Sequence, residues 1–493
     1  MQTPFFPAWR PRLAPRRSPL RQAADPFTRA TLAQIEQTLG PALPPSLLEK
    51  PQGGPHSRRR VFCLSRTFWG WVWQIFQGNT SCREVLRQFQ ALLALLAQPP
   101  IDEDCSAYCQ ARQKLPAHRL EAIFQASFQS AQAKAPPPSL LQGRPVKVVD
   151  ASTLRLEDTP KNRNAYPASP NQFGRPGFPT LKLLALFCLR SGALLARATG
   201  TLQVSETRLL MGLAAHLQPG DILTGDRAYG LYVMLQWAYS LGADLVARLN
   251  GLSRRVDFRQ RLQKLGPGEA LFLWQKPKLP SKLLSPQQWA QVPQTMVVRV
   301  LRRRIEPPGF RTRHLMLVTT LLEPELYPAQ ELFELYFQRW RLEMCLDDLK
   351  TTLGMEKLNC RTPLLVHKEL LLFLIAHNFL RWLMAQAAQA GPTPLERISF
   401  KGTLDAFRQW SAALAQVRGP GKRARQKYLW RQLLQIIAAD PVPARPGRRE
   451  PRAVKNKSKY PRLTKPRHLY VDRWSRNKKR RVQRAKMRAL LNY

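Results

Sequence analysis

The sixteen residues "LYFQRWRLEMCLDDLK" set Tyr336, Arg339, Glu343 and Lys350 at successive offsets of three, four and seven. At 3.6 residues per turn, these offsets return each side chain to nearly the same face of one helix. The stripe has two readings. It is a solvated amphipathic face whose Arg339–Glu343 pair is worth only about 0.3–0.5 kcal/mol, or it gathers one carboxylate and three phosphate-seeking groups. Two further acids bear on the choice. Asp150 closes the apolar run "VKVVD" and Asp226 closes "ILTGD", so each is expected at the end of a short strand, where α/β folds place their sites. Local capping is the alternative for either aspartate, because Ser152 and Thr153 after Asp150 favour turns and helix starts. Taken together, two strand-end aspartates and a helical glutamate offer three oxygen ligands to hard divalent ions. Mg²⁺ takes few protein carboxylates and fills its other positions with water and phosphate oxygens. Two such ions about 3.5–4 Å apart activate an attacking oxygen and stabilise a leaving one in phosphodiester chemistry.

The bulk composition agrees with a polyanionic partner. The 493 residues carry 78 Lys and Arg against 32 Asp and Glu, a net charge of +46. That excess concentrates polyanions and drives counterion release on nucleic acid. No long amphipathic anchor is evident, and the basic, Pro-broken N-terminus lacks the continuous apolar core of a signal peptide. The most apolar run, "ELLLFLIAHNFLRWLMA", is interrupted by His377, Asn378 and Arg381, so it is expected as a buried helix rather than a bilayer span. Seven scattered cysteines complete no zinc spacing and read as free thiols of a reducing cytoplasm. Membrane is not expected as a partner.

Stepping outward to the elements that must position the acids, residues 1–60 are rich in Pro and Arg and read as a basic arm. Residues 61–134 carry helical periodicity, with a break at Leu115–Pro116 between two helices. Arg112, Lys114 and Arg119 give this region a basic polar face, suited either to DNA ends or to a plain helical cap. Strands and helices then alternate through 145–249, including a hairpin around "RSG", as in a compact α/β layer domain. Residues 250–325 read as β-rich, 326–390 return to helix, and 391–440 are helical again. The last stretch, 441–493, is nearly bare of acids and reads as a basic tail that orders on a polyanion.

"VVDAST", "LTGDRAYG" and the Tyr336–Arg339–Glu343–Lys350 spacing resemble the DDE transposases of bacterial insertion sequences, in the family named for insertion sequence four. The similarity runs from about Pro145 to Ala385, and its specific part is the four-residue signature following two aspartates in order. The resemblance implies an α/β fold with a ribonuclease-H-like catalytic core, interrupted by a β-rich insertion between the second aspartate and the glutamate. A helical N-terminal region and a basic C-terminal tail flank that core. It implies Asp150, Asp226 and Glu343 as a catalytic, metal-binding triad holding two Mg²⁺ ions, with Mn²⁺ as a substitute. Tyr336, Arg339 and Lys350 would contact element-end DNA near the reacting phosphate, and Arg227 and Tyr229 would belong to the same DNA-contacting shell.

The implied reaction is cut-and-paste DNA transposition. Water frees a 3′-hydroxyl at the element end, and strand transfer into target DNA follows, through a hairpin if that route is taken. Holding two ends of double-stranded DNA together implies a homodimer on DNA, in the cytoplasm and associated with the nucleoid. Trp274 and Trp289 of the insertion are placed either to hold a flipped base or to pack a core, the commoner use of large aromatics. A basic nucleic-acid binder without catalysis, a nuclease of similar fold and a degenerate transposase are the competing readings.

Overall fold

The computed structural model describes residues 32–57, 60–95, 101–137, 141–168, 177–251, 254–304, 314–417 and 421–443. The expected arm up to residue 31 and the basic tail from residue 444 lie outside them. At its centre is one large mixed sheet. Its strands are β1 (Val146–Leu156), β2 (Thr180–Cys188), β3 (Leu194–Gly200), β4 (Ile222–Gly225), β5 (Asp244–Arg248), β6 (Gln263–Gly266), β7 (Glu269–Gln275), β8 (Thr295–Arg304) and β9 (His314–Thr319). They lie in the order β3-β2-β1-β4-β5-β9-β8-β7-β6, and the short β10 (Lys357–Leu358) pairs parallel with the far end of β1. β1, β2 and β3 form an antiparallel meander, whereas β4 and β5 run parallel to β1.

Three local expectations change. Asp150 does not close a short strand: β1 runs on through Ala151, Ser152 and Thr153, because β2 pairs with it from Lys147 to Arg155 and satisfies its backbone. The capping alternative for Asp150 therefore fails. The strands between residues 250 and 325 do not form a separate block either. β9 pairs antiparallel with β5, and β8, β7 and β6 continue outward in the same sheet. Finally, the arm does not extend to residue 60. Ile35, Leu39, Ala42 and Leu43, in and just after the helix Leu32–Leu39, are buried in the main core.

Helices cover the sheet, and the apolar run is the helix Pro363–Ala390 at the heart of the larger core. Pro363 at its first turn and the Thr362 hydroxyl, which accepts from Leu365 N–H at 3.4 Å, start it. Its most apolar stretch is long enough to cross a membrane, yet 94% of that stretch is buried inside the protein. Three of its buried polar residues, Glu369, Asn378 and Arg381, find protein partners, whereas the His377 ring is buried between Phe187 and Phe400 without a hydrogen bond among the described residues. Asn378 accepts from Leu194 N–H at 2.8 Å and donates to Leu194 O at 3.0 Å. Arg381 Nε donates to Ser191 O at 2.8 Å, and the Glu369 carboxylate accepts from the Asn359 and Cys360 amides and from Asn79. Asn378 and Arg381 thus fix the helix across the β2–β3 turn, which holds the meander carrying Asp150 in place.

Before the sheet, the helices Leu64–Phe76, Cys82–Leu95, Ser106–Lys114 and Ala117–Lys134 form an N-terminal layer, with Pro116 capping the last of them. Arg112 is not on its outer face. It is buried, with its guanidinium stacked 3.7 Å from the Trp71 ring.

Candidate active site

Asp150 and Asp226 are brought together by strand register. β1 and β4 are neighbouring parallel strands in which Val148 lies opposite Thr224. Asp150 and Asp226 each follow that pair by two residues, so both leave the paired stretch at the same end, and the Asp226 charge acts on Asp150. Every residue of β4 is buried, so the chain emerges from the core at Asp226. There the Asp226 carboxylate folds back on its own turn, accepting from Ala228 N–H at 2.7 Å. Gly225 is required at this exit. A Cβ on it would fall 2.4 Å from the Tyr229 ring, which packs across it.

Glu343 arrives from the other side. The stripe is not one continuous helix: Ala329–Gln338 ends at Arg339, Trp340–Asp347 begins after it, and a π-helical turn over Asp348–Thr352 follows. Short π segments recur at functional sites because they re-aim side chains. Arg339 at the junction ties the halves to the sheet. One Nη donates to Glu343 Oε1 at 2.9 Å, and the other lies 3.9 Å from Asp150 Oδ2. In the π turn, Lys350 Nζ donates to Ser152 Oγ at 3.2 Å, two residues beyond Asp150 on the same face of β1. Tyr336 is half-buried, packs against the main core and has its ring centre 5.7 Å from the Arg339 guanidinium.

The electrostatics follow from this crowding. Burial is the main force on Asp150 and pushes its carboxyl up to about 6, helped by the charges of Asp226 and Glu343 and opposed by Arg339. Burial works against the Arg339 guanidinium, but Tyr336, Glu343 and Asp150 outweigh it and hold it above its ordinary value. Burial also raises the Tyr336 phenol.

A fourth acid, Glu206, belongs to the same neighbourhood, and no motif or spacing marks it. It opens the helix Glu206–Met211 directly after the capping Ser205, where an acid reads as ordinary helix chemistry. Its carboxyl is raised by burial and then by Asp226.

The expectation for Tyr229 is corrected. Its ring is 1% exposed, so it is a packing residue beneath the acids rather than a DNA contact, and burial raises its phenol. Its hydroxyl is buried, has no hydrogen-bond partner among the described residues and feels Glu206, Asp150 and Asp226. Arg227 is exposed on the rim. Trp274 is buried in the smaller core with Arg254 4.6 Å from its ring centre, and Trp289 is half-buried beside Lys276.

The donor set suits a hard divalent cation. Acids clustered around a buried, orphaned hydroxyl repel one another, and a cation with bound water relieves both conditions. Among the described residues, no three His, Cys, Asp or Glu side chains stand close enough to hold a metal as they are. The positive group among these acids is the Arg339 guanidinium.

Residues 141–379 match the family model described as "Transposase DDE domain". The chain is 26% identical over 453 residues to the transposase InsG for insertion sequence element IS4 from Escherichia coli (strain K12), across 90% of this chain and 98% of that protein. Among solved structures, a piggyBac transposase in a synaptic complex with hairpin DNA aligns over 91% of this chain and 89% of its own, with 10% identity and a TM-score of 0.41.

Proposed function

Because the chain belongs to the DDE transposases, enzymes that cleave DNA and transfer its strands, we propose that Asp150, Asp226 and Glu343 are its metal-binding catalytic triad. The observation that carries this reading is the Arg339 guanidinium, which contacts Glu343 and approaches Asp150, drawing acids from the sheet and from a distant helix to one place. The β1–β2–β3 meander followed by parallel β4 and β5 supports a ribonuclease-H-like core. Strands β6 to β9 then stand where an insertion between Asp226 and Glu343 is expected.

Divalent ions at the triad, Mg²⁺ with Mn²⁺ as a substitute, would supply Lewis acidity to the phosphodiester and charge to its leaving oxygen. The remaining work belongs to the chain. Arg339, which now contacts Glu343, has a planar fork that would match two phosphate oxygens. Lys350, fixed through Ser152, offers a point charge on the same face. Tyr336 bonds to phosphate or stacks on an end base. Exposed Arg227 extends the contact along the strand. The reaction so served is hydrolysis at the element end to free a 3′-hydroxyl, then attack of that hydroxyl on target DNA. Two ends must meet, so the working species is a homodimer on double-stranded DNA, cytoplasmic and nucleoid-associated. The basic tail beyond residue 443 adds affinity that does not depend on sequence.

The experiment compares the protein with its Glu343→Ala variant on a duplex carrying the element's own end, with Mg²⁺ and with chelator. Metal-dependent cleavage that the variant loses while still binding DNA is the expected result. Binding without cleavage by the unaltered protein would favour a nucleic-acid binder or a degenerate transposase. Equal cleavage by both proteins would remove Glu343 from the triad.

A further inference from the structure

Past the catalytic elements, the helix Arg423–Ala438 carries a row of cations. Arg423, Lys427 and Arg431 follow one another at every fourth position, all three exposed, and the helix holds no acid. Residues four apart share a face and stand about 6 Å apart along the axis. Among the described residues, none of the three forms an ion pair with a carboxylate. Cations without a carboxylate inside the protein are free to take an anion, and their repeat suits successive phosphates of one nucleic-acid strand.

Beside this row lies a cavity of about 360 Å³ that shares no lining residue with the carboxylate site. Trp382 from the long buried helix, Trp430 and Leu414 give it apolar walls, and Arg423 and Lys427 give it a cationic rim. Among the described residues, no Asp or Glu lines it. The two indoles stand 6.2 Å apart between ring centres and are inclined by 47°. Trp382 is buried and Trp430 half-buried. Gln386, one turn beyond Trp382, lines the same cavity, and its Nε2 is buried without a hydrogen-bond partner among the described residues. A buried amide donor of this kind needs an acceptor. A ligand that meets all of these features is flat, carries a carbonyl oxygen or ring nitrogen at its edge, and is joined to phosphate. A nucleobase of a DNA strand is such a ligand, and aromatic stacking beside a cationic track is how single strands are held.

We propose that this cavity and the Arg423–Lys427–Arg431 row form a second DNA site, which takes a single-stranded segment with one base unstacked into the cavity. Arg423, Lys427 and Arg431 hold the phosphates, Trp430 lies against the base, and the Gln386 amide donates to its edge. Exposed Tyr428, adjoining Lys427, offers a neighbouring base a second ring. Duplex DNA suits the row but not the cavity, because its bases are paired and stacked and extruding one costs binding energy. The site goes beyond the triad reading and does not rest on it, since its residues come chiefly from the helices Pro363–Ala390, Phe400–Gln416 and Arg423–Ala438.

The test uses the full-length protein in chelator, so that no cleavage intervenes, with an oligothymidylate carrying one 5-iododeoxyuridine. Irradiated complexes are digested and mapped by mass spectrometry. The single strand should cross-link to Trp430 or Trp382, and the same strand annealed in a duplex should do so about tenfold less. Arg423→Gln with Lys427→Gln changes two exposed side chains, so the fold is kept, and it should flatten the slope of log K for the single strand against log salt by about 1.4. Glu343→Ala should cross-link like the unaltered protein, so failure of the triad reading and failure of this one are separate results. Equal yields at the two tryptophans from single strand and duplex, cross-links that spare both tryptophans, or a salt slope that the double substitution leaves unchanged would overturn the proposal.

Discussion

The Arg339 guanidinium lies 3.9 Å from the Asp150 carboxylate while bonded to Glu343 at 2.9 Å, so a helix-borne arginine stands among acids contributed by separate parts of the chain. A divalent cation and a phosphate would each take over part of this arrangement, the first replacing the arginine among the acids and the second receiving it. Arg339→Ala should therefore slow single-turnover cleavage of an element-end duplex by about 10²–10³-fold, as when one fixed transition-state donor is removed. Arg339→Lys should recover only part of the loss, because an ammonium lacks the fork. Full activity in Arg339→Ala would show that the guanidinium serves only the metal-free protein.

The raised Asp150 carboxyl gives a pH-dependent prediction. Its value of about 6 lies above the ordinary aspartate range near 4. Between those values the folded protein keeps a proton that the unfolded chain has lost, so this group costs stability progressively as pH rises through the window. The cost is complete above pH 6 and absent below pH 4. In chelator, Asp150→Asn should thus raise Tm at pH 7.5, by about 1–2 kcal/mol of stability once partial exposure is allowed for, and leave it unchanged at pH 4. Adding Mg²⁺ should stabilise the unaltered protein more than the variant. Identical behaviour at both pH values would remove the charge as the cause.

Gly225 and Tyr229 make a steric prediction. Gly225→Ala sets a Cβ against the Tyr229 ring, so overpacking should cost about 1–3 kcal/mol and displace the turn that presents Asp226. Tyr229→Phe keeps the ring and deletes a buried hydroxyl that has no partner among the described residues, so thermal melting in chelator should show no loss of stability. A large loss there would mean the hydroxyl has a partner in solution.

Asn378 is the polar residue on which the long buried helix is registered. Asn378→Ala leaves the N–H and C=O of Leu194 buried without partners, and should cost about 2–4 kcal/mol in denaturant unfolding. A cost under about 1 kcal/mol would indicate that water enters to replace the amide.

Much of the site was legible because it rests on local order. The short strand before Asp226, the spacing from Tyr336 to Lys350 and the hairpin at "RSG" are patterns of near neighbours. The exceptions all depend on distant partners. "DAST" looks like a turn until nine residues of β2 pair along β1 and hold it extended. Arg112 looks like part of a basic face until Trp71 stacks on it. Tyr229 looks like a surface contact until Gly225 is seen to admit its ring. Glu206 was hidden by a second explanation, since an acid after a capping serine needs no other role.

The continuity of the sheet also bears on how this protein can be cut and rebuilt. β9 covers the outer edge of β5, the last of the parallel strands beside Asp226. Excising residues 250–325 would strip that edge and leave a row of unpaired amides and carbonyls, a template for intermolecular strand pairing. The segment is therefore not a detachable cassette. Any shortened version of the enzyme has to retain β9, or supply another strand in its place, to remain monodisperse.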